Sequence, residues 1–255
     1  MGAVVGLALL LRVVHVLFSR ESPFFAAPTL DGDYHLQWAR AFAAGETFRE
    51  GPFFRAPLYP WFLGVCLKLF GPSVLIPRLV QAVLGATATW LTYLVGKRAF
   101  CAPVGLVASV LVATSWVLIY FDGELLIPTL IVPLDLWALY LTLGLRDRPT
   151  AKQAGFAGAV WGLSAIARPN VLLFMPFLAG WLAWRARPAW RKGLAPVLAL
   201  TAGTLAPILP ITFTNVARGD FALISTQAGV NFWIGNNPGS DGSSAIVPGT
   251  RGGWQ

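Results

Sequence analysis

Charge is what this 255-residue chain has least of: charged residues make up 12% of it, about half the roughly 25% usual in soluble domains. Acids are scarcer than bases, 11 against 19, which leaves a net charge of +8. A soluble domain that is 56% hydrophobic would lack the polar residues to cover its surface. The same composition excludes disorder and collagen. Two cysteines cannot build a disulfide framework, and no His/Cys set has zinc-like spacing. No P-loop, GxGxxG, HExxH or nucleophile elbow occurs in a suitable context. What is present is long apolar runs and a mean hydropathy of +0.65, which describe a polytopic membrane protein built around one membrane domain.

A membrane span needs about 20 apolar residues, with a range of roughly 17–25. Seven runs qualify or come close: Gly2–Phe18, Leu75–Val95, Val104–Phe121, Leu126–Leu145, Ala154–Ala167, Val171–Trp184 and Leu194–Phe213. The fifth and sixth are short and meet at Ala167-Arg168-Pro169-Asn170. Another stretch, Pro57–Phe70, has only 14 residues and contains Lys68, which suits a helix lying at the membrane surface, with Tyr59 and Trp61 at the interface. The first span has no charged n-region, carries Arg12 in its centre and lacks a small-x-small cleavage site, so it is read as an anchor rather than a signal peptide.

Basic residues set the orientation, because short cytoplasmic loops collect Lys and Arg. Three clusters stand out: Lys97 with Arg98; Arg146, Arg148 and Lys152; and Arg185, Arg187, Arg191 and Lys192. Seven spans with Met1 inside place all three inside. Nearly all acids then fall outside, with Asp147 inside and Asp135 within a span. The outer side carries two long segments, Ser19–Ser73 and Thr214–Gln255, and a short acidic turn at Asp122–Glu124. The domain division that follows is a membrane domain over 1–215, with its first outer loop at 19–73, and an outer segment over 216–255. Cys66 and Cys101 lie on opposite sides, so no disulfide is expected. The basic charge is explained by topology and is no argument for nucleic acid.

Charged groups in or beside a span are costly and mark candidate function. Asp31-Gly32-Asp33-Tyr34-His35 opens a stretch, 33–44, that reads as an amphipathic helix. Trp38, Ala39, Phe42 and Ala43 would rest on the membrane, with Asp33, Gln37 and Arg40 on the polar face. Asp31 then precedes the helix, and either acid could be a simple N-cap. Asp122 and Glu124 form a second acidic site at the bilayer edge. Asp31, Asp33, Asp122 and Glu124 are the catalytic candidates, as a general base. Asp31, Asp122 and Glu124 could instead hold a divalent metal through oxygen ligands. Arg55, Arg78 and Arg168 fall at the same outer level, where a guanidinium fork suits phosphate, though each could simply snorkel to head groups. Arg12 and His15 share a face that looks into protein. Asp135 has no cation one turn away on its helix and needs a partner on another span. Asn231, Trp233 and Asn236, on a Gly-rich stretch read as a loop, could hydrogen-bond to and stack on a hydroxylated ligand together with Tyr34 and His35.

These residues occur in a telling order: Asp31-Gly-Asp33-Tyr34, Arg55-Ala-Pro57-Leu, Arg78-x-x-Gln81, Phe121-Asp122-Gly-Glu124, Ala167-Arg168-Pro169-Asn170 and Asn231-Phe-Trp-x-Gly235-Asn236. In that order the chain resembles the bacterial family 39 branch of the GT-C glycosyltransferases, relatives of protein O-mannosyltransferases and aminoarabinose transferases. The resemblance implies an all-α, polytopic helix bundle with juxtamembrane helices in its first outer loop. It implies an inner-membrane enzyme that moves a sugar from a polyprenyl-phosphate donor to a protein, lipid or glycan acceptor on the extracytoplasmic face. The family's essential acid maps onto Asp31. Gly32 follows where the family often has Glu, which brings Asp33 into contention. Arg55 stands where His is common nearby. Family members usually continue with further spans and an outer domain, so this chain is expected to be an N-terminal portion. A transporter or flippase of a lipid-linked sugar is the alternative, disfavoured by the lack of visible inverted repeats. A noncatalytic scaffold would leave the outward acids and arginines without purpose.

Overall fold

The computed structural model describes residues 1–146, 149–185 and 190–240; Asp147, Arg148, Arg187 and Asp241 lie outside these, as does the end of the predicted outer segment. Twelve α-helices and one 3-10 turn follow one another, with no strand among the described residues. They are α1 (Gly2–Ser19), α2 (Pro23–Ala26), α3 (Leu30–Ala44), α4 (Leu58–Phe70), α5 (Leu75–Ala99), α6 (Ala102–Thr114), α7 (Trp116–Gly123), α8 (Pro128–Leu143), α9 (Ala151–Ala165), α10 (Met175–Arg185), α11 (Trp190–Ala217) and α12 (Gln227–Asn236).

The protein is an all-helical membrane bundle. Helices α1, α5 and the 194–217 portion of α11 are long and apolar enough to cross a bilayer, and α6 with α7 makes a fourth candidate bent by 53°. The bend falls at Ser115, whose extended backbone (φ −65°, ψ 110°) interrupts the helical ladder. Each of the seven expected spans coincides with a helix or bent pair, although α8, α9 and α10 are short for spans. Leu10, Leu17 and Phe18 on α1 and Val107 and Leu111 on α6 are exposed apolar side chains, the surface that lipid covers.

Close helix contact is made possible by small residues. A Cβ on Gly158 of α9 would sit 2.2 Å from the Leu200 carbonyl of α11, and one on Gly85 of α5 would collide with both Asp122 and Arg12. Without a hydrophobic force between helices in lipid, such close packing and interhelical hydrogen bonds hold a bundle together. Two bonds join α8 to α9: Trp161 Nε1 donates to Thr142 Oγ1 at 3.0 Å, and the Ser164 hydroxyl donates to Asp135. Ser164 is the partner on another helix that Asp135 required. At one end of the bundle, Arg98 Nη1 donates to the Tyr140 carbonyl and Arg185 Nη2 to that of Arg146, so members of the three basic clusters sit against the ends of α8 and its neighbours.

The structure corrects three sequence readings. Helix α3 begins at Leu30, with Asp31 inside its first turn rather than ahead of it. Trp38 and Ala39 are buried within the protein instead of resting on the membrane: α4 folds back over α3 and packs Tyr59, Leu63 and Leu67 against Leu36 and Ala39, while Trp38 packs with Phe53, Ala56, Ile166 and Ile208. The glycine-bearing stretch after residue 227 is helical to Asn236. Its first turn is fixed from outside, as Thr226 N donates to the Phe53 carbonyl and Gln227 N to that of Phe54, and tertiary contacts override the weak helix propensity of glycine.

Candidate functional site

The start of α3 is an unusual piece of backbone. Leu30, although not glycine, has φ +52°, a left-handed conformation costing on the order of 1–2 kcal/mol, and its side chain is exposed. Immediately after it Asp31 Oδ1 accepts a hydrogen bond from Arg55 Nη2 at 2.8 Å, an ion pair whose carboxylate side is open. The Arg55 guanidinium also lies over the Tyr34 ring, 4.7 Å from its centroid, and its Nε is buried without a protein partner. Asp33 points elsewhere: its Oδ2 accepts from Gln37 on the outer face of α3 at 2.6 Å, beside exposed Arg40, so the predicted polar face is real.

One turn on, His35 is almost fully buried and its Nδ1 is 3.3 Å from the Leu125 carbonyl. Burial pulls its pKa down to about 4, so the ring is neutral at pH 7, with Nδ1–H as donor and a buried Nε2 that has no partner. Burial pushes the Tyr34 phenol up despite Arg49 and Arg55 nearby, so it stays a neutral O–H. The His35–Leu125 contact is the link that brings the first acidic segment to the second.

That second segment is held from within. Asp122 Oδ2 accepts from Arg12 Nε at 2.6 Å, both side chains being nearly inaccessible, and Arg12 also donates to the carbonyls of Ala8 and Ala113. Free space beside this pair amounts to about 10 Å³, room for one water at most. Arg78 Nε donates to the Gly123 carbonyl at 2.8 Å, its Nη1 to that of Val74, and its guanidinium lies 4.0 Å from the centroid of Phe25. Gln81 Nε2 binds the carbonyls of Asp122 and Glu124 while its Oε1 accepts from Tyr59. Arg78 and Gln81 therefore clamp the main chain of the 122–124 turn, Arg12 holds its Asp122 side chain, and the Glu124 side chain is left half-buried at its edge. Arg168 is exposed at the break after α9. The Leu58 N–H donates to the Ile166 carbonyl at 3.1 Å, which brings the Ala56-Pro57-Leu58 segment beside it.

The metal expectation fares differently. No group of three His, Cys, Asp or Glu comes together at ligand distance among the described residues. Asp122 is committed to Arg12 and Asp31 to Arg55, so the expected donor set of Asp31, Asp122 and Glu124 is not assembled. Asn231, Trp233 and Asn236 lie on exposed parts of α12, with Asn236 bonded back to its own helix at Phe232.

About one helical turn on from Asp31 the structure opens a cavity of about 610 Å³, with Tyr34, Trp38 and Phe42 of α3 on one side and Trp61 of α4 and the 45–54 segment on others. Arg218 and Val230, from beyond α11, complete it. Sequence reading missed this site, because the alternating aromatic, acidic and basic residues of Glu46–Phe54 resemble an ordinary surface loop. It also missed Asn215, which is fully buried and ties the site together. Its Oδ1 accepts from Phe53 N at 2.8 Å while its Nδ2 donates to the carbonyls of Ala222 and Ile224.

The all-helical membrane bundle thus carries acids, arginines and an aromatic cavity around α3 and the segment that follows it. The model of the dolichyl-phosphate-mannose-protein mannosyltransferase family matches residues 54–213, and the chain belongs to that family. It is thus a membrane glycosyltransferase of the GT-C type, a class that uses polyprenyl-phosphate sugar donors. No curated protein and no solved structure matches the chain.

Proposed function

We propose that the protein transfers a sugar from a polyprenyl-phosphate donor to a hydroxyl group at the extracytoplasmic edge of the inner membrane, with Asp31 as the general base. The acceptor oxygen attacks the anomeric carbon, its proton passes to the Asp31 carboxylate, and the carbon–oxygen bond to phosphate breaks to release polyprenyl phosphate. The observation that carries this reading is the Asp31–Arg55 pair. It joins an open carboxylate to a guanidinium with an unpartnered nitrogen, directly after a strained residue. Arg55 orients the base and, with Arg168, is the phosphate contact on this reading; Arg78 and Asp122 position the turn that carries Glu124. Tyr34 and His35 are substrate-contact candidates near the base, Asp33 is the alternative base on the outer face of α3, and Asn231, Trp233 and Asn236 remain candidates for contacts on α12. The basic loops at the other end of the bundle support an extracytoplasmic site.

Proteoliposomes holding the purified protein and a radiolabelled polyprenyl-phosphate sugar separate this reading from a flippase. A transferase breaks the glycosyl–phosphate bond, yielding free polyprenyl phosphate and labelled acceptor. Movement of the intact lipid between leaflets with no bond cleavage would overturn the proposal.

A further inference from the structure

We propose that the cavity about one helical turn on from Asp31 is a saccharide site and that the acceptor it receives is a neutral glycan. The role as acceptor site rests on the transferase reading; saccharide binding itself rests on the cavity alone. Its position fits, since Tyr34 lines the cavity and its ring also lies under the Arg55 guanidinium that pairs with Asp31.

The wall is built for a hydroxylated, uncharged ring. Tyr34, Phe48 and Trp61 are half-buried and offer partly open aromatic surface of the kind on which the C–H faces of a pyranose rest. Two cations, Arg49 and Arg218, are matched by two anions, Glu46 and Glu50. A phosphate or carboxylate ligand would meet as many carboxylates as guanidiniums, whereas a sugar uses both, as acceptors and donors for its hydroxyl groups. The volume, about 610 Å³, falls within the range of roughly 300–1,000 Å³ usual for small-molecule sites.

The site is also held in shape before a ligand arrives. Trp38 lies between Phe48 and Phe53, stacked at 5.6 Å on each, and Arg218 and Arg49 lie over Phe53 and Phe48 at 4.8 and 5.4 Å. Phe53 is pinned at both ends of its backbone, by Asn215 and by Thr226 N.

The test uses the purified protein in detergent with an α-linked mannobiose as probe, and saturation-transfer NMR and calorimetry as readouts. The wild type is expected to bind it, and the exposed-residue variants Arg49→Gln and Glu50→Gln to weaken binding about tenfold each, the scale of one charged hydrogen bond, with unchanged unfolding temperature. With donor supplied, mannobiose is expected to be glycosylated and a Ser/Thr peptide not, and both variants to raise the KM for mannobiose by a similar factor. Equal binding by wild type and variants, or no binding at all, would overturn the saccharide site. Transfer to the peptide alone would overturn the glycan acceptor. Binding that is lost in the variants, with no transfer to either acceptor, would support the site and count against the transferase reading instead.

Discussion

Two ion pairs of nearly equal length do opposite things in this protein. Arg12–Asp122, at 2.6 Å, is closed off from solvent, and removing one partner of such a pair costs about 3–5 kcal/mol because the other charge stays buried. Arg55–Asp31, at 2.8 Å, has its carboxylate more than half exposed, and exposed pairs contribute at most about 1 kcal/mol. The first is structural and the second is free to serve chemistry. His35 adds a pH-dependent element. Its pKa is depressed to about 4 from 6.5, so its contribution is complete above pH 6.5 and is lost as pH falls towards 4. The full effect is on the order of 3 kcal/mol. Unfolding temperatures measured at pH 7.5 and 4.5 should therefore fall further for the wild type than for His35→Gln, whose amide can still donate to the Leu125 carbonyl; equal falls would show that His35 does not carry the acid sensitivity.

At the scale of helices, the approach of α1, α5 and α7 depends on Gly85. A Cβ there would lie 2.0 Å from Asp122 Oδ2 and 2.3 Å from Arg12 Nε, inside a helix that cannot give way. Gly85→Ala is expected to separate that pair and to destabilise the bundle by about 3–5 kcal/mol, seen as a large drop in folded yield from detergent. Gly2→Ala, with nothing within 4 Å, is the neutral control. Normal yield of Gly85→Ala would mean that the ion pair is dispensable. Element existence was legible in the sequence because apolar runs of 14 or more residues have few alternatives to helix. Element contacts were less so. The face of Arg12 was read correctly as inward, yet its partner 110 positions away leaves no local trace. The inward turn of Trp38 was invisible because an amphipathic helix packs equally well on lipid or on protein, and what decides is the distant packing of Phe48, Phe53, Ile166 and Ile208 around the indole.

For the whole molecule, sequence order put the acids and arginines at one outer level, and the structure joins part of that set, with Arg55 on Asp31, His35 on the Leu125 carbonyl and Arg78 on the 122–124 turn, while Asp33 bonds to Gln37 instead. What the sequence did not reveal was their division of labour. Arg78 and Asp122 look like substrate ligands in a linear reading and turn out to be occupied by protein, whereas Glu46, Arg49, Glu50 and Arg218 look like solvated surface and line a cavity. The central claim is that Asp31 performs the chemistry rather than holding α3. Helix α3 takes Thr29 as its N-cap and uses no Asp31 cap bond, so Asp31→Asn removes only an exposed ion pair. The measurement is transfer from a radiolabelled polyprenyl-phosphate sugar by membranes containing equal amounts of wild-type protein and Asp31→Asn. The account predicts equal folded protein and transfer lower by about 10²-fold or more, the scale for losing a general base; transfer by Asp31→Asn at the wild-type rate would contradict it.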